Sequence, residues 1–179
     1  MHRRSRFLAV AIVATIALTL ADSGAARRET FVPAGAVRAI KSYQLMTLHW
    51  QHVMGVPPTR VARRPGPIAN PRYRRWLLHL WQMRARTVVG RARHVPHRSA
   101  WLCIHRYEGS WVSATGNGYY GGLQMDITFM RHYGPYLLRR KGTADRWTPL
   151  EQMWVAERAL RSGRGFYPWP HTARACGLI

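Results

Sequence analysis

One carboxylate at a helix end, with a neutral, ring-bearing loop just after it, is where this sequence could do chemistry. In WLCIHRYEG (101–109), Trp101, Ile104 and Glu108 recur at spacings of three and four, which puts them on one helical stripe. Gly109 follows at once and stops the helix. A glutamate placed there faces the negative end of the helix dipole among apolar neighbours, and both favour its protonated form. A carboxylic acid that keeps its proton near neutral pH is what a general acid needs to protonate the oxygen of a glycosidic bond. A surface glutamate fraying at a helix end would show the same spacing.

The loop is TGNGYYGGLQM (115–125), with four glycines, two tyrosines, one Gln and no Lys or Arg, in a chain of formal charge +21. Sugars are held by stacking on aromatic rings and by neutral groups that both donate and accept hydrogen bonds. Tyr119, Tyr120 and the preceding Trp111 supply rings, and Asn117 and Gln124 supply amides. The glycines let the backbone approach a polymer closely. Ordinary core packing would use the same rings. The Asn-Gly and Gly-Gly steps favour a loop or short hairpin.

The elements that must position these groups are mostly helical. Ser99 is suited to cap the helix that ends at Glu108. TPLE (148–151) is a capping box, with Thr148 as cap, Pro149 at the first helical position and Glu151 three residues on. Leu150, Met153, Trp154, Glu157 and Leu160 then share one face, and Gly163 ends that helix. A shorter helix is expected over 127–142. Upstream, 43–55 and 73–90 read as helices separated by the Pro- and Gly-rich break VPPTRVARRPGP (56–67). In the second, Trp76, Leu77 and Trp81 mark an apolar side edged by arginines. Such a helix either lies on an anionic surface or packs on the neighbouring domain. His49 and His52 have helical spacing for a metal, but no Cys, Asp or Glu lies near them to complete a ligand set.

Residues 1–26 read as a signal peptide: a basic start, the apolar run FLAVAIVATIALTLA (7–21), then small residues. No later apolar run is long enough for a membrane helix. The expected organisation is 1–26 signal, 27–98 basic and partly helical, and 99–179 a second, better punctuated domain. Of 28 basic residues only Lys41 and Lys141 are lysines. Guanidinium groups bind phosphate and carboxylate bidentately, which points to anionic wall polymers or a membrane surface before nucleic acid. A solubilising charge would read the same way. In an exported chain Cys103 and Cys176 are expected to form a disulfide, contributing roughly 4 kcal/mol on the chain-entropy model.

WLCIHRYEGSWVSATGNGYYGGLQMDITFMRHYG, followed by GFYPWPHTARACG near the end, resembles the transglycosylase-like domain of the resuscitation-promoting factors, in the lysozyme superfamily. The resemblance covers about 99–179 and implies a small lysozyme-like α+β fold, mainly helical, with a short Gly-rich hairpin. It implies cleavage of the MurNAc–GlcNAc linkage in peptidoglycan glycan strands by one carboxylic acid, with no cofactor or metal. Glu108 matches that acid, Gln124 the substrate-lining Gln, and Trp111, Asn117, Tyr119 and Tyr120 the cleft wall. Thr128 stands one place earlier than the family's substrate-contacting Thr. Two further departures are visible. Cys103 precedes the Glu by five residues where the family's cysteine is adjacent, and the family's Gly-Gly-Asn after the Glu is shortened to Gly109-Ser110.

A second carboxylate would permit hydrolysis by a two-acid route. Asp126 is the candidate beside the loop, since Glu151 is used in capping and Glu157 is expected to pair with an arginine. With one acid alone, the 6-hydroxyl of MurNAc can act as nucleophile and leave an anhydro product. The expectation is a secreted, wall-associated enzyme. A non-catalytic wall-glycan binding module is the rival, and a cationic protein acting on membranes or nucleic acid through 27–98 is a third reading.

Overall fold

The computed structural model of the chain describes residues 34–61 and 70–179. The expected signal peptide (1–26) and residues 62–67 of the expected break lie outside them. Helix α1 (Ala34–Met54) starts well before its expected bound and stops one residue short of it, and helix α2 (Pro71–Arg93) extends the second upstream helix at both ends. A local cap sets the start of α2: Asn70 Oδ1 accepts from Arg72 N at 2.9 Å and Tyr73 N at 3.2 Å, and Pro71 needs no donor there.

The buried stripe of α2 is Arg74, Trp81, Ala85, Val88 and Ala92, spaced for one helical face. Trp76, expected on that apolar side, is 57% exposed. Five residues along a helix is a turn of about 140° from Trp81, so the two indoles cannot share a face. The inner face packs along α1, and Trp154 Nε1 donates to Ala92 O at 2.7 Å. Val53, Met54, Val88 and Ala92 therefore share a core with Trp101, Ile104, Met153 and Trp154.

Helix α3 (Arg98–Glu108) begins one residue before Ser99, with His97 at the cap position and no side-chain cap bond. The His97 ring is engaged elsewhere, on Glu157. Gly109 does end the helix, at φ 132°, a backbone conformation open to glycine. Strands β1 (Tyr119–Tyr120) and β2 (Met125–Asp126) pair antiparallel, Tyr119 with Asp126 and Tyr120 with Met125. The single helix expected over 127–142 is two, α4 (Ile127–Tyr133) and α5 (Pro135–Lys141). Pro135 has no N–H to continue the ladder. At Gly134 a Cβ would lie 2.6 Å from the Trp147 ring, so the bend is also packed shut.

Helix α6 (Pro149–Ala159) carries the full capping box of Thr148 and Glu151. It is buried nearly all round because α1, α3 and α4 all pack on it. Glu157 is paired, but not with an arginine: its carboxylate accepts from Trp101 Nε1 at 2.9 Å and His97 Nδ1 at 3.0 Å. A π turn (Leu160–Arg164) broken at Gly163 leads on to helix α7 (Pro170–Ala175). The expected disulfide joins Cys103 in α3 to Cys176 just past α7, with Cα atoms 6.1 Å apart.

At the other end of α6, Glu151 accepts from His49 Nε2 at 2.9 Å, Lys141 Nζ at 2.6 Å and Thr148 N at 2.7 Å. Burial alone would push this carboxyl up, but hydrogen bonds from His49, Lys141 and the Thr148 backbone outweigh it and hold it at about 2. His52 stacks on Tyr136 instead, with ring centroids 4.6 Å apart. Burial, then the nearby Arg139 and Arg158, push its imidazole below the usual value. Among the described residues no helix is long and apolar enough to cross a membrane.

Candidate active site

A groove of about 290 Å³ opens where α3 ends. Glu108 lies at its α3 side, and Asn117, Tyr119 and Gln124 form the hairpin wall. Pro168–His171, running into the first turn of α7, complete the lining. Apolar burial aims the glutamate: Trp101 and Ile104 lie fully in the core, which turns the next position of that stripe to the half-buried rim. Thr172 Oγ1 donates to Glu108 Oε1 at 2.8 Å.

The hairpin is held from beneath by Gln152, a fully buried amide on α6. Its Oε1 accepts from Gly122 N at 2.9 Å, while its Nε2 donates to Trp111 O and Ala144 O, both at 2.8 Å. This clamp explains the paired glycines. A Cβ at Gly121 would lie 2.5 Å from Gln152 Oε1, and one at Gly122 would lie 2.5 Å from His105 Nδ1. Trp169, itself buried, donates from Nε1 to Leu123 O at 2.6 Å and fixes the far end of the same loop. The wall is thus tied to α6 and to the α7 approach before any ligand arrives.

Gln124 is held at φ 45°, the one non-glycine with positive φ among the described residues. A left-handed Gln costs on the order of 1 kcal/mol, and such strain persists where the surroundings over-determine it. Here Gln124 N and Nε2 both donate to Gly121 O, at 3.1 and 2.8 Å. Among the described residues the amide oxygen accepts from no protein group. Asn117 shapes the tip by accepting from Tyr119 N at 3.0 Å, and Tyr119 is 48% exposed at the groove.

Three other expected site residues lie off this groove. Trp111 stacks on His105 at 3.9 Å and lines a neighbouring hollow with Arg93, Arg98 and Leu102. Tyr120 is half-buried against the core and bridges to Ala114. Thr128 lines a different hollow with Asp126. Asp126 is used structurally, its Oδ1 capping α4 through Phe129 N at 2.7 Å. Sequence reasoning assigned no site role to Pro168–His171 or Thr172. The rigid Pro-Trp-Pro step at 168–170 was the available signal. Among the described residues no three His, Cys, Asp or Glu are grouped to hold a metal ion.

Residues 96–172 match the transglycosylase-like domain family. The chain is 39% identical over 70 residues to resuscitation-promoting factor Rpf1 of Corynebacterium glutamicum, covering 39% of this chain and 35% of that protein. It therefore spans about a third of the length of the curated relative it matches. No solved structure matches it. The groove-forming residues from Glu108 to Thr172 fall inside the matched segment, which is similar to the transglycosylase-like domain family and to part of a resuscitation-promoting factor.

Proposed function

We propose that this chain is exported through residues 1–26 and cleaves the MurNAc–GlcNAc linkage of peptidoglycan, with Glu108 as its acid. The observation that carries this reading is the groove itself: a glutamate at a helix end faces the exposed Tyr119 ring and the Asn117 and Gln124 amides. Glu108 gives its proton to the bridging oxygen as the bond from C1 of MurNAc breaks. Its carboxylate then takes the proton of the MurNAc 6-hydroxyl as that oxygen closes on C1. The products are a 1,6-anhydro end and a free 4-hydroxyl on GlcNAc, and no water is consumed. Among the described groove-lining residues Glu108 is the one carboxylate, which favours the single-acid route over a two-acid one. Substrate is held by ring stacking and neutral amides, as a glycan requires.

Mass spectrometry of fragments released from purified sacculi tests both parts. Anhydro-terminated muropeptides are expected, and reducing ends one water heavier would replace the lyase route with hydrolysis. Glu108→Gln is expected to lower release about a thousandfold, the middle of the range for losing a positioned acid. Release at the wild-type rate from that variant would remove Glu108 from the chemistry. A wild-type protein that binds sacculi without releasing fragments would instead be a glycan-binding module.

A further inference from the structure

The face of α2 turned away from the core is built from one repeating spacing. Arg72, Trp76, His79, Met83, Arg86 and Arg93 follow one another at intervals of three, four or seven, and all are exposed. Tyr73 is 42% and Trp76 57% exposed, and their rings stack with centroids 5.6 Å apart. Arg75, also exposed, stands beside them. No Asp or Glu occurs between residues 30 and 107. Among the described residues Arg72, Arg75, Arg86 and Arg93 form no ion pair. This stripe thus runs about 32 Å from Arg72 to Arg93, with unneutralised guanidinium groups toward both ends and an aromatic step near one of them.

We propose that this stripe binds a linear anionic polysaccharide, its sugar rings resting on Tyr73 and Trp76 and its phosphate or carboxylate groups on the arginines. Charge complementarity requires a polyanion. The order of residues argues against a membrane: Trp76 and Met83 are separated by His79 and bracketed by Arg72 and Arg86. Helices that lie in a lipid interface keep an apolar face apart from their cations, whereas here burying the indole would drag guanidinium groups with it. Preferring a saccharide over nucleic acid rests on the glycan reading of the groove. The stripe does not use Glu108, so its binding is measured apart from cleavage.

The test titrates the full chain with polygalacturonate, which carries rings and charge, and with polyphosphate, which carries charge alone. Trp76→Ala is expected to weaken polygalacturonate binding roughly fivefold and leave polyphosphate binding unchanged, as removal of a stacking ring should. Arg72→Gln with Arg75→Gln is expected to weaken both and to flatten their salt dependence. Since these side chains are exposed, circular dichroism and thermal melting of the variants should match wild type. Unchanged polygalacturonate affinity in Trp76→Ala overturns the proposal. So does tighter binding to phosphatidylglycerol-containing vesicles, or to single-stranded DNA, than to polygalacturonate. If Glu108→Gln were to keep full cleavage activity, the groove reading would fail while this titration would still report on the stripe.

Discussion

Two regions of this domain hold glutamates in opposite ways. Inside, α6 carries Glu151 and Glu157, each about 1% exposed and each met by several donors. Glu157 takes an indole N–H and an imidazole, and Glu151 takes an imidazole, an ammonium and a backbone N–H. At the groove, Glu108 is half-buried and among the described residues has one hydrogen-bond partner, the Thr172 hydroxyl. A buried carboxylate must be saturated with donors, because an unmatched lone pair in the core costs about 1–3 kcal/mol or more, a large fraction of a domain's whole stability. Saturation leaves nothing for a ligand. A carboxylate on a groove with one neutral partner keeps an oxygen free to give or take a proton, which is why Glu108 and not the better-anchored pair is the proposed acid.

The same substitution at different glutamates should split activity from stability. Glu108→Gln carries the largest effect, about a thousandfold on muropeptide release with little change in melting temperature. At Glu151 the expected loss is in stability and depends on pH. Its folded value of about 2 lies below the ordinary 4.5, so its contribution is complete above 4.5 and disappears as the pH falls from 4.5 toward about 2. The shift corresponds to about 3 kcal/mol. Denaturant unfolding across that interval should show wild type losing stability and Glu151→Gln, already lacking the term, losing that much less. Parallel curves for the two proteins would mean that His49 and Lys141 do not hold the carboxylate in solution.

Glu157→Gln comes next. The amide can still accept from Trp101 Nε1, but it no longer offers a charge to the His97 ring, and about 2 kcal/mol of stability should go. Release of muropeptides per folded molecule should stay near wild type, since Glu157 does not line the groove. A variant that melts normally but cleaves slowly would erase the contrast between the two regions.

What could be read from the chain divides along the same line. Signals confined to a few neighbouring residues were legible: the Thr148–Glu151 box, the stop at Gly109, the hairpin around Tyr119, and the helical periods of α1 and α2. Glu108, Asn117, Tyr119 and Gln124 were named from their chemistry, and the fold brings them to one groove. The misses came where a distant partner decides. His97 left the role of ordinary helix lead-in to meet Glu157, 60 residues away, so Ser99 was not needed as the cap. Gln152 looks like any helical polar residue until Gly122 and Trp111 close around it. Trp76 reads as inward by its apolar type, whereas the phase of Trp81, Ala85 and Val88 turns it outward. The break at Gly134-Pro135 was local and visible, and the apolar period across it obscured it.

Thr172 offers the smallest and most discriminating comparison. It sits 64 residues from Glu108, in the first turn of α7, and among the described residues its hydroxyl is the one protein group hydrogen-bonded to that carboxylate. The disulfide from Cys103 to Cys176 ties the same two helices together, so the contact is preset by the fold and not gathered by substrate. Thr172→Val keeps the shape and removes the donor, at a cost of about 1 kcal/mol of positioning. That corresponds to roughly a fivefold fall in kcat with KM unchanged, because in the proposed binding mode the contacts with the hairpin wall are kept. Thr172→Ser restores the hydroxyl and should restore most of the rate. A purely structural threonine would behave otherwise: both variants would lower the melting temperature together, and kcat would not distinguish Val from Ser.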